Sequence, residues 1–510
     1  MSRKKKSIYL DEVGSNNNPI LSEIKRHGHF PPTNKPIGWD EHEFRKIFQT
    51  KSLPFQDIEE IGDSPVNRLI WGDNLAVMRS LPSESLDLIY VDPPFFSGRN
   101  YNKIFGDEDE ERTFRDIWDG GLETYLAWMN ARLFEMKRLL KRTGNICVHL
   151  DYHAFHYVKV EMDKIFGYEN FLNDIVWSYT TGGISKQWFG RKHDNVLIYS
   201  KDIKKHKFNL MTERSYLSNP CLKAHQPSGK RLNVKADENG KMYRDVAMRS
   251  VWELRSLFRN DQERIGYPTQ KPESLLERFI LALSDKGDTV ADFFCGGGTT
   301  ATVCQKLGRK WITTDISRVA IQVASDRIQN ISSDVGINLL SEKDAFKYSH
   351  KIQYHGVYLK DKLRELSTEE FVPFILRCYE SNPSKKSHNI HGTKGNYAIF
   401  VGPANGEITH THVMKFYKEM KDRNFRYGQM LGWKFTKKAK EELDRIIASD
   451  RNEIRDIQPV KVSLVDIDSD EFKGNNIRFV SQPMANIRNI SKKNFRRMES
   501  LSYCVKRCYR

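Results

Sequence analysis

Between about residues 68 and 330 the chain alternates short apolar runs with segments whose apolar positions recur at helical spacing. Leu69-Ile70-Trp71 ends at Gly72-Asp73, and residues 74–81 read as a helix. Leu86 to Val91 (LDLIYV) predicts a buried strand by its continuous apolar character. Residues 122–141 predict a helix that Gly144 stops, followed by a strand at 146–150, a helix at 153–166 and a strand at 196–199. Residues 201–265 are polar and weakly periodic. Alternation resumes with helix 274–283, strand 289–294, helix 299–307, strand 310–315 and helix 317–330. This βα repetition predicts an α/β fold, a parallel sheet with helices on both faces. Beyond about 345 the pattern shifts, with helices expected at 413–422 and 437–448 in a smaller α+β unit.

Composition narrows the picture. A chain of 510 residues suggests two or three domains, and 39% hydrophobic residues suffice for their cores. The net charge of +16 makes a polyanionic partner plausible without identifying it. Cys147, Cys221, Cys295, Cys304, Cys378, Cys504 and Cys508 are scattered with no zinc-type spacing, which points to a reducing compartment and no structural metal. No secretory signal and no apolar run long enough to span a bilayer is present, so a cytoplasmic location without membrane contact is expected.

Two segments carry candidate chemistry. Asp292-Phe293-Phe294-Cys295-Gly296-Gly297-Gly298-Thr299-Thr300 follows a strand and opens a helix, where glycines permit close backbone approach and a helix N-terminus offers free N–H groups. Asp315 ends the next strand, 23 residues after Asp292, a position suited to holding a ribose diol. Neither G-x-G-x-x-G nor a phosphate-binding loop occurs, so a nucleoside fits better than a dinucleotide or triphosphate. Taken alone, the segment also fits a plain structural βα turn.

The second segment, Asp92-Pro93-Pro94-Phe95, directly follows strand LDLIYV. Two prolines fix a rigid turn at the strand's carboxyl end, the edge where open parallel sheets bind ligands. A carboxylate, fixed carbonyls and an aromatic ring suit methylation of an exocyclic amine. Hydrogen bonds to Asp92 and the Pro93 carbonyl would localise the amine's lone pair, and Phe95 would stack on a base taken out of the duplex. An acidic cap beside a proline turn is the plainer alternative.

Together the two segments resemble the amino-methyltransferases of DNA, with DPPF as the catalytic motif and DFFCGGGTT as the cofactor motif, in the order of the beta class. Gly72-Asp73-Asn74-Leu75, GNICVHLD, the stretch His193 to Lys201 and Tyr267-Pro268-Thr269-Gln270-Lys271-Pro272 fit the same family. Phe294 and Gly297 depart from its commoner residues. The resemblance implies a Rossmann-like sheet and S-adenosylmethionine held by Asp292, Phe294, Gly296, Gly298, Thr299, Asp315, Asp73, Thr269 and Lys271. It assigns catalysis to Asp92, Pro93, Pro94 and Phe95, with Asp at the first position favouring adenine N6 over cytosine N4. It adds a restriction–modification setting, with a cognate restriction subunit or endonuclease and a homodimer as partners. A silent DNA-binding module, or a methyltransferase acting on RNA or protein, remains open at this stage.

The organisation that follows is an N-terminal arm (1–66) and a methyltransferase domain (67–345). Its catalytic half is 67–200, its inserted target-recognition region 201–265 and its cofactor half 266–345. An accessory domain with a basic tail completes the chain (346–510). Residues 201–265 hold 15 Lys and Arg against 8 Asp and Glu. Lys204, Lys205, Lys230, Arg231, Arg249, Arg255 and Arg259 are the candidates there for contacts to double-stranded DNA. In the accessory domain the outline faintly resembles nuclease domains. The strand NYAIFV lacks the acid and lysine that such sites need, so a DNA-holding or dimerising role is expected.

Overall fold

The computed structural model describes residues 36–37, 53–62, 66–98, 118, 121–180, 186–217, 234–258, 260–267, 269–334, 349–384, 387–450, 461–473 and 477–480. Most of the N-terminal arm, the basic tail, Lys230, Arg231 and Arg259 lie outside them. The chain divides into two compact units, 1–50 with 59–352, and 51–58 with 353–510. No helix among the described residues is long and apolar enough to cross a membrane.

The first unit is built on one large sheet. From β2 (Asn67–Trp71) the order is β2-β12-β11-β3-β4-β6-β5-β10. These are β3 (Leu86–Val91), β4 (Leu140–Leu150), β5 (Phe171–Ser178), β6 (His193–Ser200), β10 (Val251–Glu253), β11 (Thr289–Asp292) and β12 (Lys310–Asp315). Beside β2 lie this unit's parts of β13 (His350–His355) and β1 (Phe55–Ile61). Residues 55–61, expected in an arm, are therefore an edge strand. Its sequence FQDIEEI spaces its apolar residues by three and lacks strand-type alternation, and its acidic residues suit an edge protected by charge.

Every residue of β3 is buried, which its apolar run foretold. β11 lies against it in parallel, Val290 opposite Leu88 and Ala291 opposite Ile89, although about 200 residues separate them in sequence. This pairing brings the ends of the two motif-bearing strands together. Helices α1 (Asn74–Arg79), α2 (Gly121–Leu139), α3 (Phe155–Phe166), α4 (Glu273–Leu283), α5 (Thr299–Leu307) and α6 (Arg318–Asp334) accompany the sheet.

The sheet is not wholly parallel, as the βα alternation had suggested. β6 runs antiparallel to both β4 and β5. A strand's side-chain period is the same in either direction, so the sequence gives no sign of this reversal. Residues 201–265 are also more ordered than their weak periodicity suggests. Strands β7 (Thr212–Tyr216), β8 (Lys235–Ala236) and β9 (Met242–Ala247) form a small antiparallel sheet, and β10 joins the main one.

The second unit holds a five-stranded sheet, β15 (Asn382–Pro383), β16 (Gly392–Lys394), β17 (Tyr397–Val401), β18 (Tyr427–Gly432) and β19 (Lys461–Asp466), in that order. The first three are antiparallel and the last three parallel. The helix at 368–378 starts at a capping box, with Ser367 and Glu370 satisfying each other's backbone N–H groups. Residues 53–58 are fastened here. The Gln56 amide bonds both the N–H and the carbonyl of Leu359, and the Tyr358 hydroxyl donates to the Pro54 carbonyl at 2.8 Å.

Candidate active site

The carboxyl ends of β3, β11 and β12 open into a cavity of about 350 Å³, within the usual range for small-molecule sites. One wall is the turn after β3. Pro94 gives its carbonyl to the Tyr125 hydroxyl at 2.8 Å, which fixes the turn to α2. Phe96 follows at φ 61°, a left-handed conformation that is strained for a non-glycine residue. Asp92 Oδ2 pairs with the Lys271 ammonium at 2.5 Å. Its Oδ1 is buried without a hydrogen-bond partner. The Lys271 nitrogen also lies 5.1 Å from the centre of the Phe95 ring.

Beneath this turn runs a buried polar chain. The Tyr90 hydroxyl meets His149 Nδ1 at 2.8 Å, His149 Nε2 meets Asp194 Oδ2 at 3.3 Å, and the Tyr179 hydroxyl donates to Asp194 Oδ1 at 3.1 Å. The Phe95 ring stacks on His149 at 6.0 Å. Burial works against the Asp194 charge, yet the His149 hydrogen bond holds the carboxyl below its ordinary range. Burial, and then the charges of Asp92 and Asp292, push the Tyr90 hydroxyl well up, so it stays neutral.

The opposite wall is the glycine turn between β11 and α5. A Cβ on Gly296 would stand 2.9 Å from the Tyr267 ring, so this position needs glycine for the ring to lie so close. Asp315 Oδ2 accepts from the Gly296 N–H at 2.9 Å, and Asp292 accepts from Thr300 Oγ1 and the Phe294 N–H. Burial, helped by Asp92 and Asp315, pushes the Asp292 carboxyl up to about 7. Burial also raises Asp315, against hydrogen bonds from Ser317 and Gly296. Neither carboxylate has a cationic side chain paired with it among the described residues.

Two buried arginines brace the walls. Arg132 of α2 donates to Asn74 Oδ1 at 2.7 Å and Asp73 Oδ2 at 3.2 Å, while Asn74 donates to the Phe293 carbonyl at 2.8 Å. Burial lowers this guanidinium to about 10 despite Asp73 beside it. Arg327 of α6 holds Thr299 Oγ1, the Gly297 carbonyl and Glu273. The glycine turn is thereby tied to the first turn of α4.

The profile of a protein family described as DNA methylase, of the N6/N4 type, matches residues 86–326. The type II methyltransferase M.HpaI of Haemophilus parainfluenzae is 30% identical over 267 residues, 52% of this chain and 74% of that protein. The type II methyltransferase M.HinfI of Haemophilus influenzae is 31% identical over 296 residues, 56% of this chain and 74% of the relative. The DNA adenine methyltransferase YhdJ of Escherichia coli (strain K12) is 28% identical over 264 residues, 51% of this chain and 82% of YhdJ. The chain belongs to the N6-adenine/N4-cytosine DNA methylase family.

In this DNA methylase the cavity is lined by Asp92, Pro93, Pro94 and Phe95, and by Asp73, Thr269, Lys271, Asp292, Phe294, Gly296, Thr299 and Asp315. Gly298 does not line it. Its φ is 74°, and a Cβ there would sit 2.7 Å from Ala324 Cβ, so it serves the packing of α6. Lys271, expected beside the cofactor, lines this cavity with its ammonium against Asp92 and the Phe95 ring and its carbonyl accepting from Thr299 Oγ1. Sequence reasoning passed over Asn74, Tyr90, Trp128, Arg132 and Tyr267, which also face the cavity. The only available signal was the presence of Asn74 and Tyr267 within segments that matched the family.

The DNA-contact candidates separate. Because β6 runs backwards, its end at Ser200 lies beside Asn145, at the sheet edge opposite the cavity. Lys204 and Lys205 follow there, next to Lys207, whose N–H bonds the Thr143 carbonyl at 3.0 Å. Arg249 precedes β10 on the same far side and pairs with Glu213 at 2.5 Å. Arg255 follows the end of β10, which aligns with Ser178, on the cavity side, where it pairs with Asp261 at 2.7 Å.

Proposed function

We propose that this DNA methylase transfers a methyl group from S-adenosylmethionine to the N6 amine of an adenine extruded from double-stranded DNA. The observation that carries the reading is the buried, unpartnered Oδ1 of Asp92 in the cavity wall. It is an acceptor in want of a donor, and an exocyclic amine supplies one. Lys271 occupies the other carboxylate oxygen and so keeps Oδ1 for the substrate.

The cavity also fits the cofactor. Asp292 and Asp315, unpaired with cations, repel phosphates and favour a ligand that carries positive charge, a hydroxyl pair and no phosphate. S-adenosylmethionine supplies an electrophilic methyl group on a sulfonium. Asp315 is set to accept from the ribose hydroxyls, and Tyr267 with the bare backbone of Gly296 shapes the floor. Asp92 and the Pro93 carbonyl draw the amine protons and turn its lone pair outward. Phe95, backed by His149, presents a stacking face for the base. When the new N–C bond forms, the nitrogen sheds a proton, and Asp92 Oδ1 is the basic oxygen within reach.

Adenine is preferred over cytosine because Asp stands first in the turn, in keeping with the naming of YhdJ as an adenine methyltransferase. Target recognition is assigned to 201–265 and an accessory DNA-holding or dimerising role to the second unit. A cytoplasmic location, a cognate restriction partner and self-association complete the proposal, in line with the type II naming of two relatives. The test is to incubate the protein with mixed-sequence duplex DNA and methyl-tritiated S-adenosylmethionine, then digest to nucleosides. Label in N6-methyladenine is expected. Label in N4-methylcytosine would overturn the base, and none in DNA would overturn the substrate.

A further inference from the structure

Between β5 and β6, the adjacent residues Trp188 and Phe189 are 58% and 98% exposed. Single exposed aromatics are ordinary, whereas an adjacent exposed pair makes an apolar projection from the surface. The flanking residues Lys186, Arg191 and Lys192 are all cationic, and the segment from 186 to 192 contains no acid. The Arg191 guanidinium lies 4.2 Å from the Tyr152 ring and 5.6 Å from the Trp188 ring. The nearest acid in sequence to Tyr152, Asp151, is already engaged by His153 at 2.7 Å. Aromatic rings interleaved with cations form a surface complementary to stacked bases and phosphates.

Its position fits that partner. Tyr152 stands just past the end of β4, on the edge where Asp92 ends β3. The stem is rigid, since the Tyr179 N–H bonds the Lys192 carbonyl at 3.0 Å and the Tyr179 hydroxyl bonds Asp194. Asp194 reaches through His149 to the face of Phe95. A base seated on Phe95 would therefore lie at the same sheet edge to which Arg191 is held over Tyr152. Arg255 and the 43% exposed Phe258 lie on the same edge.

We propose that Phe189, supported by Trp188 and Arg191, enters the base stack of double-stranded DNA beside the target and holds the target base extruded. The inference rests on the reading that the protein methylates a base in duplex DNA. A rigid apolar wedge compensates the lost stacking of the displaced base, as aromatic and aliphatic wedges do elsewhere. Arg191 and Lys192 would hold the neighbouring phosphates.

The experiment uses a duplex that the wild-type protein methylates, in three forms: intact, with 2-aminopurine at the target, and with an abasic site opposite the target. In Phe189→Ala, kcat/KM on the intact duplex should fall about tenfold to a hundredfold and recover to within about threefold of wild type opposite the abasic site. Its 2-aminopurine fluorescence gain should vanish, with S-adenosylmethionine affinity unchanged, while Phe189→Trp keeps both signals. Equal losses on both duplexes, or wild-type fluorescence in Phe189→Ala, would overturn the wedge. So would a wild-type dimer that the substitution dissolves while DNA parameters stay the same. Wild-type protein that labels no DNA would strike the underlying reading itself, and the wedge with it.

Discussion

The two edges of the main sheet handle charge in opposite ways. At the edge away from the cavity, several charged groups find partners within the chain. Lys207 bridges Asp285 and Asp288, Lys141 meets Asp87 at 2.7 Å, and Lys201 meets the Leu140 carbonyl at 2.6 Å. The Asn209 amide serves Leu281, Ser284 and Asp285. At the carboxyl edge, Asp92 keeps one oxygen without a partner, Asp292 and Asp315 are held above the usual carboxylate range, and Phe96 is strained. The far edge fastens loops with residues chosen for each other. The near edge leaves groups whose partners come from outside the chain.

Substitutions should expose this contrast. Asp92→Ala, which removes the acceptor for the amine, is expected to cut methyl transfer by at least about a thousandfold, with S-adenosylmethionine binding retained. Single-turnover transfer and calorimetric binding, compared side by side, check it.

The carboxylates themselves give a pH effect of similar size. Between about pH 4 and about 7 the folded chain holds a proton on Asp292 that the unfolded chain has lost. This contribution to stability is fully present below the ordinary carboxylate range and is lost as pH rises through about 7. A shift of that size corresponds to roughly 4 kcal/mol. Asp292→Asn should flatten the decline in a denaturant series across that range, and an unchanged slope would contradict it.

Lys271→Met should slow transfer about tenfold to a hundredfold, because a charge-assisted bond orienting Asp92 is lost. Its KM for S-adenosylmethionine should move much less. At the far edge the expected effect moves from rate to stability. Lys207→Met should cost less than about 1 kcal/mol of stability and leave kcat alone, since a solvent-screened cation is lost from beside Asp288. Smallest of all, Lys204→Ala with Lys205→Ala should leave DNA affinity within about twofold, whereas Arg255→Ala should reduce the salt dependence of binding by about one unit.

The sequence made some of this contrast legible and hid the rest. The run LDLIYV and the rigid Asp92-Pro93-Pro94 turn identify a strand end directly, and the glycine turn before α5 does the same. The exact bounds of that helix and of β12 follow from their apolar spacing and flanking glycine. The direction of β6 has no signature, and it sends Lys204 and Lys205 to the edge away from the cavity. β5 was passed over because FLNDIVWS breaks its apolar positions with Asn173 and Asp174, where β6 has the unbroken run Val196 to Tyr199. The braces are equally silent. Arg132 and Arg327 look like ordinary cations on amphipathic helices, and only the fold brings them against the two motifs. His149 reads as one more residue of a strand until β6 places Asp194 beside it.

A positively charged cofactor would complete the unmatched carboxylates of the carboxyl edge. Calorimetric titration of S-adenosylmethionine at about pH 6.5, in buffers of different ionisation enthalpy, measures the protons exchanged on binding. A cation beside Asp292 lowers its raised affinity for a proton, so release to the buffer is expected, and Asp292→Asn should abolish it. Binding with no release, or with proton uptake, would contradict the assignment of this cavity to the cofactor.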